Sequence, residues 1–306
     1  GVLCFLMIFA MAEITKTTHR IVLEAMQGKQ EKSNLAIKFE RLARYDSLTG
    51  VENRMAMQMR LRDLFDNRIS DADQTAVLWM DLDRFKEIND TLGHIVGDQL
   101  LCQVAERLTR ALDRRGHVAR FGGDEFVLIC PGVSRIQAEV IAGDITRILA
   151  GDFEVGGHHL TISASMGIAV APEDGADGDE LLQHADLALY KAKHAGRNRH
   201  AQFDWTMKER QNRTYELETG LRSALANGEL QLHYQPIFDT ETGRITICEA
   251  LMRWQHPELG WISPAEFIPI AESSALIEPM TNWALAQACR DAMGWDEDIR
   301  VAVNIS

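Results

Sequence analysis

The chain has 306 residues, of which 46% are hydrophobic, enough for a core in each of about two domains. Its formal net charge of -13 argues against a nucleic-acid backbone as partner, because such binding is carried by clustered Lys and Arg; a single nucleotide held through metal ions stays compatible. The five cysteines, Cys4, Cys102, Cys130, Cys248 and Cys289, lack the close spacing of a zinc site or a disulfide framework and read as reduced thiols of a cytosolic compartment.

In chain order, GVLCFLMIFAMA is apolar up to Glu13. A membrane helix needs about 20 such residues, and the run starts on Gly rather than Met, so residues 1–12 read as the cut end of a longer transmembrane segment. The competing reading is a signal-peptide core, since Ala10-Met11-Ala12 resembles a cleavage site. Against it, no basic stretch precedes the run, and Lys16, Arg20, Lys29 and Lys32 suit a cytoplasmic flank. Residues 13–45 carry Ile14, Ile21, Met26, Leu35, Phe39 and Leu42 at the spacing of a long amphipathic signalling helix. Gly28 interrupts that stripe and leaves a solvated tether as the alternative.

After the turn-like Asp46-Ser47-Leu48-Thr49-Gly50, the pattern predicts a helix from Arg54 to Arg68, a buried strand from Thr75 to Asp81 and a helix from Asp98 to Leu112. Strands from His117 to Phe121 and from Glu125 to Cys130 join at Gly122-Gly123-Asp124 as a hairpin. A helix from Ile136 to Leu149, a strand from Leu160 to Val170 and a helix from Asp179 to His194 complete the unit. This order predicts an α/β (α+β) sandwich with helices packed on a mostly antiparallel sheet. A helical connector over 204–227 leads to a second series: strands from Leu230 to Phe238 and Ile245 to Leu251, a helix from Pro264, a helix near Met280 to Met293 and a strand from Arg300 to Ile305. Ending on a strand without a covering helix, this series reads as an incomplete domain.

Asp81 and Asp83 stand at the end of the first strand. The plain reading of such a pair is turn-forming acids, and that of Gly122-Gly123 is a tight turn. With the two strands as neighbours, however, Asp81 and Asp124 converge, and paired carboxylates suit Mg²⁺, a hard cation that takes oxygen ligands and substrate phosphates. The glycines also let a phosphate approach the backbone. Such a site meets the needs of nucleotidyl transfer, in which metal activates the attacking hydroxyl and neutralises charge on the phosphoryl and leaving groups.

Five segments, DSLTGVENR (46–54), DLDRFKEINDTLGHIVGD (81–98), RFGGDEF (120–126), SMGIAV (165–170) and LYKAKHAGRN (189–198), together resemble the GGDEF diguanylate cyclase family over 46–203. The resemblance implies a fold like the nucleotidyl cyclase and polymerase palm, condensing two GTP into cyclic di-GMP and pyrophosphate. It implies Asp81, the backbone carbonyl of Leu82 and Asp124 as ligands of Mg²⁺, with Mn²⁺ as a substitute. Asn89 and Asp98 would read the guanine edge, and Phe85, Lys86, Lys193 and Arg197 would contact the triphosphate. Asp124 or Glu125 would assist deprotonation of the ribose 3′-hydroxyl. Taken alone, Lys193 and Arg197 would read as solvated charges favoured at a helix C-terminus. Each domain would hold one GTP, so the chemistry implies a homodimer. The inhibitory Arg-x-x-Asp motif of many members is out of register: its positions read Asp113-Arg114-Arg115-Gly116, and Arg110-Ala111-Leu112-Asp113 lies three residues early.

LHYQPIFD (232–239), EALMRW (249–254), SPAEFIPIAE (263–272) and VAVNIS (301–306) resemble the opening of the EAL cyclic di-GMP phosphodiesterase family, whose fold is TIM-barrel-like, over 228–306. That resemblance implies Glu249 and Asn304 as magnesium ligands and Gln235 and Arg253 as contacts to the cyclic dinucleotide. The family's later acidic ligands and lysine fall outside these 306 residues, so no phosphodiesterase activity is expected of this chain. The combined expectation is a bacterial inner-membrane protein with cytoplasmic catalytic domains, whose partners are GTP, cyclic di-GMP, the membrane and a second copy of itself, with no nucleic acid. Two rivals stay open: a first domain that binds GTP without turnover and regulates an EAL phosphodiesterase, and a full-length protein that is mainly a hydrolase.

Overall fold

The computed structural model describes residues 38–39, 41–67 and 73–305. The apolar run 1–12 and nearly all of 13–45 lie outside the described residues; among the described ones, no helix is long and apolar enough to cross a membrane. The chain divides into two compact units at Met207/Lys208.

The elements of the first unit, in chain order, are β1 (Glu52–Asn53), α1 (Arg54–Asp66), β2 (Thr75–Leu82), α2 (Phe85–Leu92), α3 (His94–Leu112), β3 (His117–Gly122), β4 (Glu125–Pro131), α4 (Arg135–Leu149), β5 (Phe153–Val155), β6 (His158–Leu160), β7 (Ala164–Ala171), α5 (Gly178–His194) and β8 (His200–Gln202). The six-stranded sheet runs β1-β3-β4-β2-β7-β8. Its three central pairings are antiparallel and its two outer ones parallel, as the expected mostly antiparallel sandwich requires.

The central strand β2 reads as a nearly continuous apolar run because both of its faces are covered. Ala76, Leu78, Met80 and Leu82 enter a core with α3 and α4, whereas Val77 and Trp79 enter a second core with α1 and α5. Helix starts follow local capping chemistry. The Asn53 side chain accepts from Ala56 N–H at α1, Ser134 and Gln137 form a capping box at α4, and Asp177 accepts from Glu180 N–H at α5.

Several elements differ from the sequence pattern. The segment FKEINDTL forms α2, too short to show a helical period, and Gly93 at φ 85 separates it from α3, which begins at His94 rather than Asp98. The strand expected from Leu160 begins at Ala164. Leu160 instead ends a small β5–β6 hairpin that turns through Gly156-Gly157, both at positive φ. The three-residue strand β8 carried no readable pattern, and α1 stops at Asp66, with Arg68 outside the described residues.

Helix α6 (Trp205–Ala224) spans the division between the units. The second unit contains β9 (Leu230–Phe238), β10 (Ile245–His256), β11 (Gly260–Ile262), α7 (Pro264–Ser273), α8 (Ile277–Ala292) and β12 (Arg300–Val303). Strand β10 extends past the expected Leu251, pairing antiparallel with β9 and β11 and parallel with β12. Its even-numbered Ala250, Met252 and Trp254 face inward, Trp254 and Met252 joining Leu230, Phe267 and Met280 in one core.

Candidate functional site

The end of β2 gathers the acidic residues. Asp81 lies opposite Glu125 on β4 and Ser165 on β7, and Leu82 N–H donates to Asp124 O across 3.4 Å. Burial pushes the Asp81 carboxyl up, and the negative charge of Asp124 and Asp83 adds to it; Lys193, with Nζ 2.7 Å from Asp81 Oδ2, works against that rise. Burial also raises Glu125, reinforced by Asp81 and by Asp186 on α5. Asp186 is itself raised by burial and eased by Lys193. The structure thus concentrates carboxylates with one lysine to offset them, a charge imbalance that a divalent cation would relieve.

Helix α5 reaches this site because β7 has no side chain at Gly167. A Cβ there would stand 1.9 Å from Ala185 O and 2.2 Å from Leu189 N, so only glycine lets the helix backbone lie on the strand. The helix then ends with Gly196 at φ 112, Gly196 N–H donating to Lys193 O and Arg197 N–H to Ala192 O, the paired bonds of a Schellman ending. That ending sets Arg197 just past the helix, four residues from Lys193.

The hairpin carrying Asp124 is braced from far along the chain. Arg120 donates to Gly123 O at 2.9 and 2.7 Å and to Asp46 Oδ1 at 3.1 Å. Burial alone would raise Asp46, but bonds from Thr49 and Arg120 outweigh it and hold the carboxyl below its ordinary range. The opening motif therefore supports the Gly-Gly-Asp tip, a connection invisible in one-dimensional spacing.

Asn89 on α2 lies over Gly97 on α3, where a Cβ would be 1.9 Å from Asn89 Oδ1. That Oδ1 is buried without a hydrogen-bond partner among the described residues, an acceptor the fold itself leaves unpaired. The neighbouring Asp98 is exposed and borders a depression of about 400 Å³ with Leu48, Ile95, Gln99 and Cys102, of which Asn89 is not part. A larger depression of about 880 Å³, lined by Arg135, Glu173 and Arg199 among others, includes none of these residues.

The Phe85 ring is buried in the core with α3, so a contact from this residue to a triphosphate would come from its backbone at the N-terminus of α2. Lys86, by contrast, is exposed. The residues that sequence reasoning passed over are Asp186, two helical turns before Lys193 on the same face, and Arg120. The i, i+7 relation of Asp186 to Lys193 was readable, but nothing in it pointed toward Glu125.

Metal fit rests on donor chemistry. Asp81, Asp124 and the Leu82 carbonyl are hard oxygen donors of the kind Mg²⁺ takes together with substrate phosphates. Among the described residues no group of three or more His, Cys, Asp or Glu is placed to hold a metal ion by itself.

In the second unit Glu249 accepts from Asn304 Nδ2 at 2.8 Å, Gln235 lies opposite Glu249, and Arg253 follows four residues on, donating to Met252 O. All four residues fall on the face of the sheet opposite the core side.

Residues 43–199 match the family model "Diguanylate cyclase, GGDEF domain" and residues 218–306 match "EAL domain". PdeR of Escherichia coli, a cyclic di-GMP phosphodiesterase, is 42% identical over 87% of this chain and 40% of its own length. MucR of Pseudomonas aeruginosa, a bifunctional diguanylate cyclase/cyclic di-GMP phosphodiesterase, is 40% identical over 87% of this chain and 39% of its own. The GGDEF domain of TpbB (YfiN) from Pseudomonas aeruginosa superposes with a TM-score of 0.52 at 36% identity, covering 54% of this chain and 97% of that domain. The chain spans about two-fifths of the length of these two curated relatives.

Proposed function

This chain belongs to the GGDEF family, with the opening part of an EAL domain behind it, and from that membership we propose that its first unit is a working diguanylate cyclase. The observation that carries the reading is the convergence of Asp81, Glu125 and Lys193 from three separate elements, with Lys193 Nζ 2.7 Å from Asp81. In this reading the 3′-oxygen of one GTP attacks the α-phosphorus of the other, forming a P–O bond as pyrophosphate leaves, and a second such step closes the ring. Asp81, Asp124 and the Leu82 carbonyl would hold Mg²⁺, which supplies charge neutralisation at the reacting phosphoryl and the leaving pyrophosphate. Glu125, raised by burial, is suited to accept the hydroxyl proton. Lys86, Lys193 and Arg197 offset the triphosphate charge, and Asn89 with Asp98 orients guanine.

Because each site holds one GTP, the active form is a homodimer, and residues 1–12 tether it to the bacterial inner membrane with the catalytic units on the cytoplasmic side. The apolar run and the basic residues after it support that placement. A second reading, a GTP-binding module that regulates a downstream phosphodiesterase, is favoured by the likeness to PdeR. Chromatographic measurement of cyclic di-GMP formed from GTP and Mg²⁺ by the full chain separates them: product supports the cyclase, and GTP bound without product supports the regulatory module.

A further inference from the structure

We infer that Asp83 is a positioning residue that aims Arg197 at the triphosphate by bracing the left-handed turn at Arg197-Asn198. The inference rests on the proposed role of Arg197 in GTP binding.

Asp83 is 8% exposed, and its carboxylate accepts three hydrogen bonds: from Ser163 Oγ at 2.6 Å, Ser165 Oγ at 2.7 Å and the backbone N–H of Asn198 at 3.0 Å. A buried carboxylate is tolerated only with such donors, and here they are hydroxyls and an amide from two distant segments. Joining β2 to β7 does not require this side chain. The ladder already pairs Asp81 with Ser165 and Leu82 with Ala164, and Asp83 N–H donates to Ser163 O at 2.9 Å. Beyond the two serine hydroxyls on a segment the ladder already holds, what the side chain adds is the link to Asn198, 115 residues away.

That link falls where the backbone is least at ease. Arg197 and Asn198 have φ of 59 and 48, the left-handed region that side chains other than glycine avoid. On the helix side, Arg197 N–H is tied to Ala192 O; on the strand side, Met166 N–H is tied to Arg199 O. Between these, the bond to Asp83 secures the Asn198 amide and makes two successive left-handed residues tenable. Arg197 therefore departs from a backbone held on both sides, so its long exposed side chain loses less freedom on meeting an anion. Asp81 and Asp83, two residues apart, thus serve one nucleotide differently: one through metal, the other through the turn.

The test uses the full chain with Mg²⁺ and a non-hydrolysable GTP analogue. Asp83→Ala should weaken analogue affinity about tenfold, raise KM more than it lowers kcat, and speed hydrogen exchange at the Asn198 amide. In an Arg197→Ala background the same substitution should add less than about twofold, because the residue acts through Arg197. Equal weakening in both backgrounds, or unchanged Asn198 exchange, would overturn the inference. If Asp83→Ala does not fold, Asp83→Asn carries the same cycle: its amide oxygen still accepts from Asn198, so a smaller loss of about threefold that again vanishes in Arg197→Ala is expected, and a loss that persists there overturns the inference. An Arg197→Ala variant that binds the analogue normally would instead sink the triphosphate reading, whatever Asp83 does to Asn198 exchange.

Discussion

Lys193 Nζ stands 2.7 Å from Asp81 Oδ2, so the cation assigned to the triphosphate is ion-paired with a carboxylate assigned to the metal. In the proposed reading nucleotide binding would exchange this pair, the lysine turning to phosphate as the carboxylate takes the metal. Lys193→Met should therefore weaken GTP binding about tenfold while tightening binding of Mg²⁺ alone, since a competing cation is gone. Calorimetric titration of each ligand checks this; a parallel loss of both affinities would mean that Lys193 supports the carboxylates instead of competing for them.

Asp81→Asn and Asp124→Asn should each remove cyclase turnover, at a cost of several kcal/mol in the barrier, with a melting temperature no lower than the parent's. Near-normal Mg²⁺-dependent formation of cyclic di-GMP by either variant would show the metal assignment to be wrong.

Glu125→Gln should lower turnover and stabilise the fold. The Glu125 carboxyl is raised by burial and by Asp81, so its charged form is disfavoured in the folded state. A raised carboxyl favours folding below its unfolded value, near 4.5, and loses that advantage as pH rises through its folded value. The variant's gain in melting temperature should thus be absent at acid pH and reach about 2–4 °C near pH 7, if relief of the charge is worth about 1 kcal/mol. Thermal scans across pH without nucleotide or metal measure it, and a variant less stable than the parent at pH 7 would contradict the charge argument.

Product should not inhibit strongly, because the inhibitory register cannot be filled. At the aspartate position, Gly116, a Cβ would stand 2.5 Å from Ile129 O and 3.0 Å from Cys130 Sγ, both on β4. Gly116→Asp should accordingly cost about 1–3 kcal/mol of stability and leave inhibition unrestored. In the displaced motif Arg110 is ion-paired with Glu106 and Asp113 sits at φ 46 past the end of α3. Progress curves with added cyclic di-GMP decide the matter: noncompetitive inhibition that disappears on Arg110→Ala would show that the displaced motif works.

By itself the sequence determined the longer helices and strands of the first unit, the burial of β2 and the acids at its end, because periodicity and turn chemistry are local. The hairpin at Gly122-Gly123 was legible for the same reason. The short α2, β5, β6 and β8 carried too few residues to show a period. Family motifs named Asn89, Asp98, Lys193 and Arg197, but spacing gave no means to bring them near Asp81. Only the tertiary structure decided that α5 rests on Gly167 and so delivers Lys193 to Asp81, that Asp46 grips Arg120 behind the hairpin, and that Asp83 turns toward Asn198. It also placed the Phe85 ring in the core. Each of these is a contact between residues far apart in the chain, settled by which backbones can approach closely and which buried charges find donors.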